Sequence, residues 1–177
     1  MPLPVHPDTP VKASSVAAAA EACGVSPAIA AEALAKLTHV GGRLERIEVG
    51  QDFLVVVDYA HTPDSLQALY DAFPSRRKIC VLGNTGGGRD TWKRPEMGRI
   101  ADASCAEVIL TNEDPYDEDP RAIIDAMVAG MQRTPTVIMD RREAIRHALS
   151  RARKDDAVLI SGKGTDPYIM GPKGSRT

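Results

Sequence analysis

The chain has 177 residues and a mass of 19.0 kDa, which corresponds to about one domain with room for a short appendage. Its 22 basic and 24 acidic residues give a net charge of -2, so no general basic field is available to bind a nucleic-acid backbone. Aromatic residues make up only 4%, which argues against a nucleic-acid or carbohydrate platform built from stacked rings.

The N-terminal part is predicted to form a short helical hairpin after an irregular segment. Residues 1–13 contain four prolines and no apolar periodicity, so we expect an irregular lead-in there. Two Ala-rich helices are predicted at residues 14–23 and 27–37, with a glycine ending the first and a serine capping the second. The hairpin as a whole, residues 14–41, is too small to build its own core, so we expect it to pack on another part of the protein.

Beyond this hairpin, the sequence predicts a parallel sheet with helical crossovers. Five short runs of β-branched and aliphatic residues do not alternate with polar ones, which is typical of strands covered on both faces. The predicted strands are residues 53–57, 78–82, 107–111, 136–139 and 157–161. Helical patterns lie between them, at residues 63–73, 95–104, 120–131 and 141–151. This alternation predicts a doubly wound, mostly parallel α/β domain.

The cysteines and the apolar runs indicate where the protein resides. Cys23, Cys80 and Cys105 are widely scattered, so neither a disulfide framework nor a zinc site is predicted, and Cys80 is interpreted as a buried thiol. The N-terminus lacks a basic segment followed by an apolar stretch, and no apolar run approaches about 18 residues. We therefore expect neither secretion nor a membrane span, which leaves the cytoplasm as the default location.

Polar and glycine-rich segments follow each predicted strand and form the candidate ligand site. In a doubly wound sheet, ligands bind beyond the carboxyl ends of the strands, which share one edge. The segments at this edge are residues 58–64, 83–90, 112–119, 140–143 and 162–168. Polar loops are common in all folds, but the combination of glycines, arginines and two acidic clusters favours a ligand site. The acidic run 114–119 is a candidate for binding an ammonium group or a metal, and otherwise a solvated loop.

Simpler interpretations of these loops fit less well or stay open. The glycines at 83 and 86–88 do not have the spacing of a dinucleotide-binding loop, so an NAD-binding oxidoreductase is disfavoured. Residues 162–165 lack the upstream glycine of a phosphate loop, and a proline follows them closely, so that motif is rejected. His61, at a strand end beside Asp58, is either a ligand contact or a loop cap.

Several motifs, taken together and in order, resemble the Mur ligase family. The likeness is carried by residues 42–46 (GRLER), 57–64 (VDYAHTPD), 86–90 (GGGRD), 93–95 (KRP) and 112–115 (NEDP). It continues through residues 120–123 (PRAI), 140–145 (DRREAI) and 162–164 (GKG). The order and spacing are most similar to the UDP-N-acetylmuramoyl-tripeptide synthetases, which add the third residue of the peptidoglycan stem peptide.

The resemblance implies a place for this chain within a larger ligase. Members of the family have three domains, and residues 42–177 resemble the third, a Rossmann-like C-terminal domain that is truncated at its end here. Residues 14–41 resemble the closing helices of the central domain, whose phosphate loop is absent from this sequence. We therefore expect an ATP-dependent amide ligase as the parent activity, with no catalytic residue and no metal ligand in this fragment, which alone is expected to be inactive.

The resemblance also implies roles for individual residues. ATP is expected to contact Arg43, Asp58, Tyr59 and His61. The amino acid to be added is expected to contact Arg94, Glu113, Asp114, Tyr116, Gly162 and Asp166. In this scheme Arg94 holds the α-carboxylate with a two-pronged hydrogen bond, and Asp58 accepts hydrogen bonds from the ribose. ATP and Mg²⁺ are expected to be held mainly by the missing central domain.

The loop after the third strand departs from the family pattern. Diaminopimelate-adding members resemble Asp-Asn-Pro-Arg there, whereas this chain has Glu113, Asp114, Pro115 and Tyr116. An acidic pocket with a tyrosine suits a distal ammonium better than a distal carboxylate, so the sequence favours lysine or a similar diamino acid over diaminopimelate. The expected partners are this diamino acid, the UDP-N-acetylmuramoyl-dipeptide and the missing domains. The alternatives are a divergent ligase with another acceptor and a stand-alone nucleotide-binding or scaffold module.

Overall fold

A computed structural model describes residues 9–36 and 40–176 of the chain. The chain divides into two compact units, Met1–Val40 and Gly41–Thr177. The described part of the first unit contains α1 (Thr9–Ala22) and α2 (Pro27–Lys36). Helix α1 begins within the segment expected to be irregular, because Pro10 falls in its first turn, where a backbone N–H has no helical partner. The rest of the predicted lead-in, residues 1–8, and the predicted end of the second helix lie outside the described residues.

The second unit is built on a six-stranded sheet. Its strands are β1 (Glu45–Arg46), β2 (Leu54–Val57), β3 (Lys78–Leu82), β4 (Glu107–Leu110), β5 (Thr136–Val137) and β6 (Ala157–Ile160). They lie in the order β1-β2-β6-β3-β4-β5, and all neighbours are parallel except β1, which runs antiparallel to β2. The mostly parallel α/β fold predicted from the sequence is confirmed. The edge strand β1 was missed because two residues carry no periodicity.

Four helices connect the parallel strands, and three of them begin at recognisable caps. They are α3 (Pro63–Asp71), α4 (Lys93–Ser104), α5 (Pro120–Val128) and α6 (Arg141–Arg151). Thr62 forms a capping box with Ser65, while Asp119 and Asp140 accept hydrogen bonds from first-turn backbone N–H groups. These caps satisfy orphan donors and fix the starts of α3, α5 and α6 directly after the loops of the candidate site.

The sheet buries both faces, as its uninterrupted apolar strands predicted. On one face, Val56, Leu82 and Leu159 pack with residues of α3, α4 and α5, including the fully buried Leu66 and Met97. On the other face, strand side chains pack against Ala144 and Ala148 of α6. Neighbouring strand residues point to opposite faces, so each central strand contributes to both apolar clusters. This two-sided burial holds the loop-bearing edge on a rigid base.

The two cysteines of the second unit form a disulfide, contrary to the sequence prediction. Cys80 in β3 is bonded to Cys105, which directly follows α4, and their Cα atoms are 6.2 Å apart. Cys80 is buried as predicted, but as half of a disulfide rather than as a thiol. The pairing joins residues 25 apart in sequence through the packing of α4 on the sheet, which no cysteine spacing motif encodes. Cys23 is a free, exposed cysteine.

A small hairpin after the sheet was not predicted. Strands β7 (Ile169–Gly171) and β8 (Gly174–Arg176) pair with each other in an antiparallel manner. The hairpin contacts the loop after β4, because Tyr116 N donates to the Met170 carbonyl over 2.9 Å.

Within residues 9–36 and 40–176, no helix is long and apolar enough to cross a bilayer.

Candidate functional site

The strand register brings the candidate loops to one edge of the sheet. Val57 and Val81 both lie beside Ile160, and Leu82 lies beside Leu110, so β2, β3, β4 and β6 end at one level. The loops that follow β2, β3 and β4 border an open cleft of about 1090 Å³. Its walls include Tyr59, His61, Thr85, Arg89, Trp92 and Tyr116. The cleft is therefore where the sequence predicted a ligand site.

Three of the residues predicted to contact ATP form one stacked group. The Arg43 guanidinium carbon lies 4.3 Å from the centre of the Tyr59 ring, within cation–π distance. The Tyr59 and His61 rings meet edge to face, with centroids 4.9 Å apart. His61 Nδ1 lies 2.8 Å from the Tyr59 carbonyl oxygen, which fixes the ring. Since Tyr59 is 38% exposed and both rings line the cleft, the group offers aromatic surface to the cleft.

Asp58, the fourth predicted ATP contact, organises the backbone beside this group. Its Oδ2 accepts a hydrogen bond from Leu44 N at 2.7 Å, and its Oδ1 accepts one from Ala60 N at 2.8 Å. Gly42 N in turn donates to the Glu45 carboxylate over 2.7 Å. The Asp58 carboxylate therefore ties the segment that carries Arg43 to the loop after β2.

Arg94, predicted to hold the substrate α-carboxylate, is buried and already paired. Its Nη1 and Nη2 donate to the two carboxylate oxygens of Glu118 over 2.8 and 3.0 Å, and Nη2 also lies 3.3 Å from the Thr85 carbonyl. Hydrogen bonds from Arg94 and from Gly88 N keep the pKa of Glu118 below its ordinary value. The two-pronged arrangement predicted for Arg94 is present, with a carboxylate of the protein itself.

A different arginine faces the cleft. Arg89, the residue after the glycine run, is exposed and lines the cleft, and it has no ion-pair partner within the described ranges. Trp92 lies three residues further along and is 68% exposed on the same wall. Neither residue was predicted from the sequence to contact a ligand. The available signal for Arg89 was its place at the end of a glycine-rich loop, at the carboxyl edge of the sheet.

Glu113 lies beneath the cleft rather than on its surface. It is only 3% exposed, and its Oε1 accepts a hydrogen bond from Thr85 Oγ1 at 2.9 Å. Its Oε2 lies against the backbone of Gly162, whose φ of +101° and close approach to this oxygen leave no space for a Cβ. Burial raises the pKa of Glu113, opposed in part by the charge of Arg141, whose Nη2 donates to the Ser161 carbonyl over 2.7 Å. Glu113 therefore braces the loops after β3 and β6.

Asp114 and Asp166, also predicted to contact the amino acid, share an internal cation. Lys163 Nζ donates to Asp114 Oδ1 and Oδ2 over 2.8 and 2.7 Å, and to Asp166 Oδ2 over 2.7 Å. Burial alone lowers the pKa of Lys163, but the two carboxylates outweigh it and the net pKa is raised. The bond from Lys163 lowers the pKa of Asp166. Tyr116, the remaining predicted contact, lines the cleft with φ at +53°.

The acidic run 114–119 is not a metal cluster in the structure. Asp114 binds Lys163, Glu118 binds Arg94, and Asp119 caps α5, so these carboxylates serve separate partners. Among residues 9–36 and 40–176, no group of three or more His, Cys, Asp or Glu side chains is arranged to hold a metal ion. The residues that line the cleft carry both charges, with the carboxylates of Asp64, Asp90, Glu96 and Asp114 beside the cations of Arg89, Lys93 and Arg99.

The fold and the cleft define a doubly wound α/β domain with a candidate ligand site at the carboxyl edge of its sheet. The chain belongs to the Mur ligase family, because the sequence profile described as "Mur ligase, glutamate ligase domain" matches residues 42–164. Family membership, predicted above from the motifs, is thereby confirmed.

Relatives in sequence and structure agree with this assignment. The chain is 45% identical over 154 residues to the UDP-N-acetylmuramoyl-L-alanyl-D-glutamate–2,6-diaminopimelate ligase of Syntrophomonas wolfei, covering 83% of this chain and 31% of that protein. It is 46% identical over 149 residues to the ligase of the same name from Caldanaerobacter subterraneus, covering 80% and 30%. A solved structure of a ligase with this name superposes with a TM-score of 0.70 at 34% identity, covering 90% and 34%. A pseudomurein peptide ligase type C from Methanothermus fervidus shares the fold, with a TM-score of 0.64 at 23% identity, covering 86% and 32%. The chain thus spans about a third of the length of these relatives.

Proposed function

We propose that this chain is the nucleotide-closing and amino-acid-presenting domain of an ATP-dependent amide ligase. The parent enzyme adds the third amino acid to the UDP-N-acetylmuramoyl-dipeptide during peptidoglycan synthesis in the cytoplasm. The observation that carries the proposal is the cleft, which is lined by Tyr59, His61, Arg89 and Tyr116, with the Arg43 guanidinium against the Tyr59 ring. The names of the relatives support the same reaction. Residues 42–177 correspond to this domain, and residues 14–41 to the end of the preceding one.

In this ligation, ATP phosphorylates the terminal carboxylate of the dipeptide, and the acceptor amine then displaces phosphate to form the amide. The residues of this chain contribute binding and orientation, and we assign no catalytic acid or base among them. Well-aligned reactants can lower a barrier by about 7–11 kcal/mol. Mg²⁺ offsets phosphate charge in such reactions, and we assign its ligands to other parts of the ligase because no acidic cluster of the described residues suits it.

For the nucleotide, we assign binding to the Arg43–Tyr59–His61 group. Its exposed aromatic face suits a stacked base or ribose, and the guanidinium carries the charge that a phosphate attracts. Asp58 holds the segment of Arg43 in place through Leu44 N and keeps a carboxylate beside the same surface. This assignment retains all four residues predicted from the sequence, with Asp58 acting at least as an organiser of the loop.

For the substrate α-carboxylate, we assign Arg89 in place of Arg94. Arg94 already uses both of its terminal nitrogens on Glu118 and is almost fully buried, so binding a substrate there would first break this ion pair and leave a buried guanidinium without its partner. Arg89 is exposed on the cleft wall and has no competing carboxylate within the part of the chain that the structure describes. Arg94 then acts indirectly, by holding the acidic loop against the glycine-rich loop.

For the acceptor, we propose diaminopimelate rather than lysine. The names of the closely related ligases support it, and so does the pairing of the acidic loop. The preference for lysine requires free carboxylates in the acidic pocket. Asp114 and Asp166 are instead occupied by Lys163, and Glu113 is buried. A distal ammonium with no accompanying carboxylate therefore gains little from these groups.

The proposal is tested by acceptor-dependent phosphate release from the full-length ligase. Diaminopimelate, lysine and ornithine are supplied separately with ATP, Mg²⁺ and the UDP-linked dipeptide. We expect turnover with diaminopimelate, a raised KM for ATP in Arg43→Ala, and a raised KM for the acceptor in Arg89→Ala. Preference for lysine would reinstate the acceptor favoured by the sequence, and absence of turnover with all three would refute the ligase assignment.

The isolated chain supplies a second measurement, because Trp92 is its single tryptophan and lines the cleft. Indole fluorescence therefore reports on ligands that enter the cleft. We expect weak ATP binding at best by this chain alone, since relatives are about three times longer. Tight, Mg²⁺-dependent ATP binding by the isolated chain would favour the alternative of a stand-alone nucleotide-binding module.

A further inference from the structure

The side chain of Lys163 places its ammonium against Asp114 and Asp166, two carboxylates expected from the sequence to contact the acceptor. Its Nζ lies within 2.8 Å of both Asp114 oxygens and 2.7 Å from Asp166 Oδ2. The Lys163 side chain is only 7% exposed, and that of Asp114 is 13% exposed. Asp114 borders the cleft described above, whereas Lys163 lines a second and smaller cleft. An ammonium group of the protein itself is thus already bound to the acidic run 114–119, through Asp114.

The hydrogen-bonding capacity of this cluster is largely used. An ammonium has three N–H donors, and Lys163 directs them at two carboxylates. Asp114 Oδ1 also accepts from Met170 N at 2.8 Å, so both oxygens of Asp114 are engaged. With Lys163 charged, the two carboxylates and the ammonium carry a net charge of -1; without it, they would carry -2.

Diaminopimelate and lysine differ in the charge of their distal ends. The distal carbon of diaminopimelate carries an ammonium and a carboxylate, so that end is neutral overall. The distal end of lysine is a single ammonium with a charge of +1. A carboxylate cluster with a charge of -2 attracts the distal ammonium of lysine more strongly than a cluster with a charge of -1 does. It also repels the distal carboxylate of diaminopimelate more strongly.

We propose that Lys163 is a specificity-determining residue, whose ammonium neutralises Asp114 and thereby biases the ligase against acceptors with a lone distal ammonium. The inference rests on the proposed ligase function and adds the residue that sets its choice of acceptor. Lys163 acts through Asp114 and Asp166 and does not need to touch the substrate. Met170 N and Tyr116 N fasten the same loop to the β7–β8 hairpin, so the loop keeps backbone anchors when the ammonium is removed.

The test compares Lys163→Met with Lys163→Arg in the full-length ligase. Methionine keeps the length of the side chain without its charge, and arginine keeps the charge. We measure kcat/KM for diaminopimelate and for lysine and take their ratio. We expect Lys163→Met to shift this ratio toward lysine about tenfold or more, the size expected when one charged hydrogen-bonding partner is removed. Lys163→Arg should stay within about threefold of the natural ratio, because the charge is retained.

Asp114→Asn provides an independent arm that keeps the test decisive if Lys163→Met does not fold. It removes one negative charge while Lys163 remains paired with Asp166, so the ratio should move further toward diaminopimelate. In the double variant, the two charge changes offset each other and the ratio should return toward that of the natural enzyme.

The outcomes separate the two proposals. An equal loss of kcat/KM for both acceptors in Lys163→Met, with the ratio unchanged, would mean a purely structural role and would overturn the inference. So would a ratio in Asp114→Asn that moves toward lysine. Failure of the natural full-length protein to ligate either acceptor would instead refute the proposed function itself.

Discussion

The guanidinium of Arg94 on α4 donates two hydrogen bonds to the carboxylate of Glu118, 24 residues away, with one nitrogen on each oxygen. Glu118 also accepts a hydrogen bond from Gly88 N. The pair therefore joins the glycine-rich loop after β3 to the acidic loop after β4, and these two loops form much of the cleft. An arginine that the sequence predicted to contact the substrate thus holds these two loops together in the structure.

Arg94→Ala is expected to reduce the stability of the protein, whereas Arg89→Ala is expected to weaken acceptor binding and leave stability almost unchanged. Loss of Arg94 should lower the free energy of unfolding by about 2 kcal/mol, because it removes charged hydrogen bonds and leaves Glu118 poorly paired. Arg89 is exposed, so Arg89→Ala should change stability by less than about 0.5 kcal/mol while raising the acceptor KM of the full-length ligase about tenfold or more. Urea unfolding and steady-state kinetics measure the two effects. Unaltered stability in Arg94→Ala would contradict the structural role given to that residue.

The buried carboxyl of Glu113 should impose a pH dependence on stability. Burial raises its pKa above the ordinary value, so the folded protein binds this proton more tightly than the unfolded chain. The stability contributed by this group is therefore complete below the unfolded pKa of about 4.3 and falls as pH rises through the raised pKa. The side chain of Glu113→Gln does not titrate, so the stability of this variant should not show the decline with rising pH.

The measurement is urea unfolding of both proteins between about pH 4 and 8. The free energy of Glu113→Gln relative to the natural protein should rise with pH and then level off. Glu107 and Asp102 have lowered pKa values, so their contributions are lost only as pH falls below the unfolded values and cancel in the difference. Two parallel stability curves would disprove the prediction.

Gly162 tests the contact between the loop after β6 and Glu113. Its φ of +101° disfavours any side chain, and a Cβ there would collide with Glu113 Oε2. Gly88 is a matched control, since its φ is +70° and no atom lies within 4 Å of the position that a Cβ would take. Gly88→Ala should cost about 1 kcal/mol for the backbone conformation alone. Gly162→Ala should cost at least about 2 kcal/mol more, because Glu113 must move within a packed interior. If urea unfolding showed the same loss of unfolding free energy in Gly162→Ala and Gly88→Ala, the predicted collision with Glu113 would have no energetic cost.

The Cys80–Cys105 disulfide predicts a redox-dependent stability. It closes a loop with a sequence separation of 25, for which chain entropy gives about 3–4 kcal/mol. Cys105→Ser should lower the free energy of unfolding by that amount and should show no further loss in dithiothreitol. The unmodified protein should lose stability only when reductant is present. Alkylation of both cysteines in the unreduced, denatured protein would show that the bond does not form.

Much of the fold was predictable because its signals are local. The central strands are uninterrupted apolar runs, so their burial on both faces follows from composition alone, and β3 has the predicted limits. Helix α6 also has its predicted limits, because Asp140 caps it just before the apolar periodicity starts. The two-residue strand β1 and the hairpin β7–β8 escaped prediction, since neither is long enough to carry a periodic pattern.

The features of the candidate site also fall into those set by local sequence and those set by tertiary contacts. The sequence by itself determined the fold class, the family and the edge of the sheet that carries the candidate ligand loops, because strand ends and capped helices are encoded by neighbouring residues. Only the tertiary structure decided which charges remain available, as it gave Arg94 to Glu118 and Asp114 to Lys163 and left Arg89 facing the cleft. The partner of a charge depends on distances between residues far apart in the chain, and these distances are set by how the helices pack on the sheet.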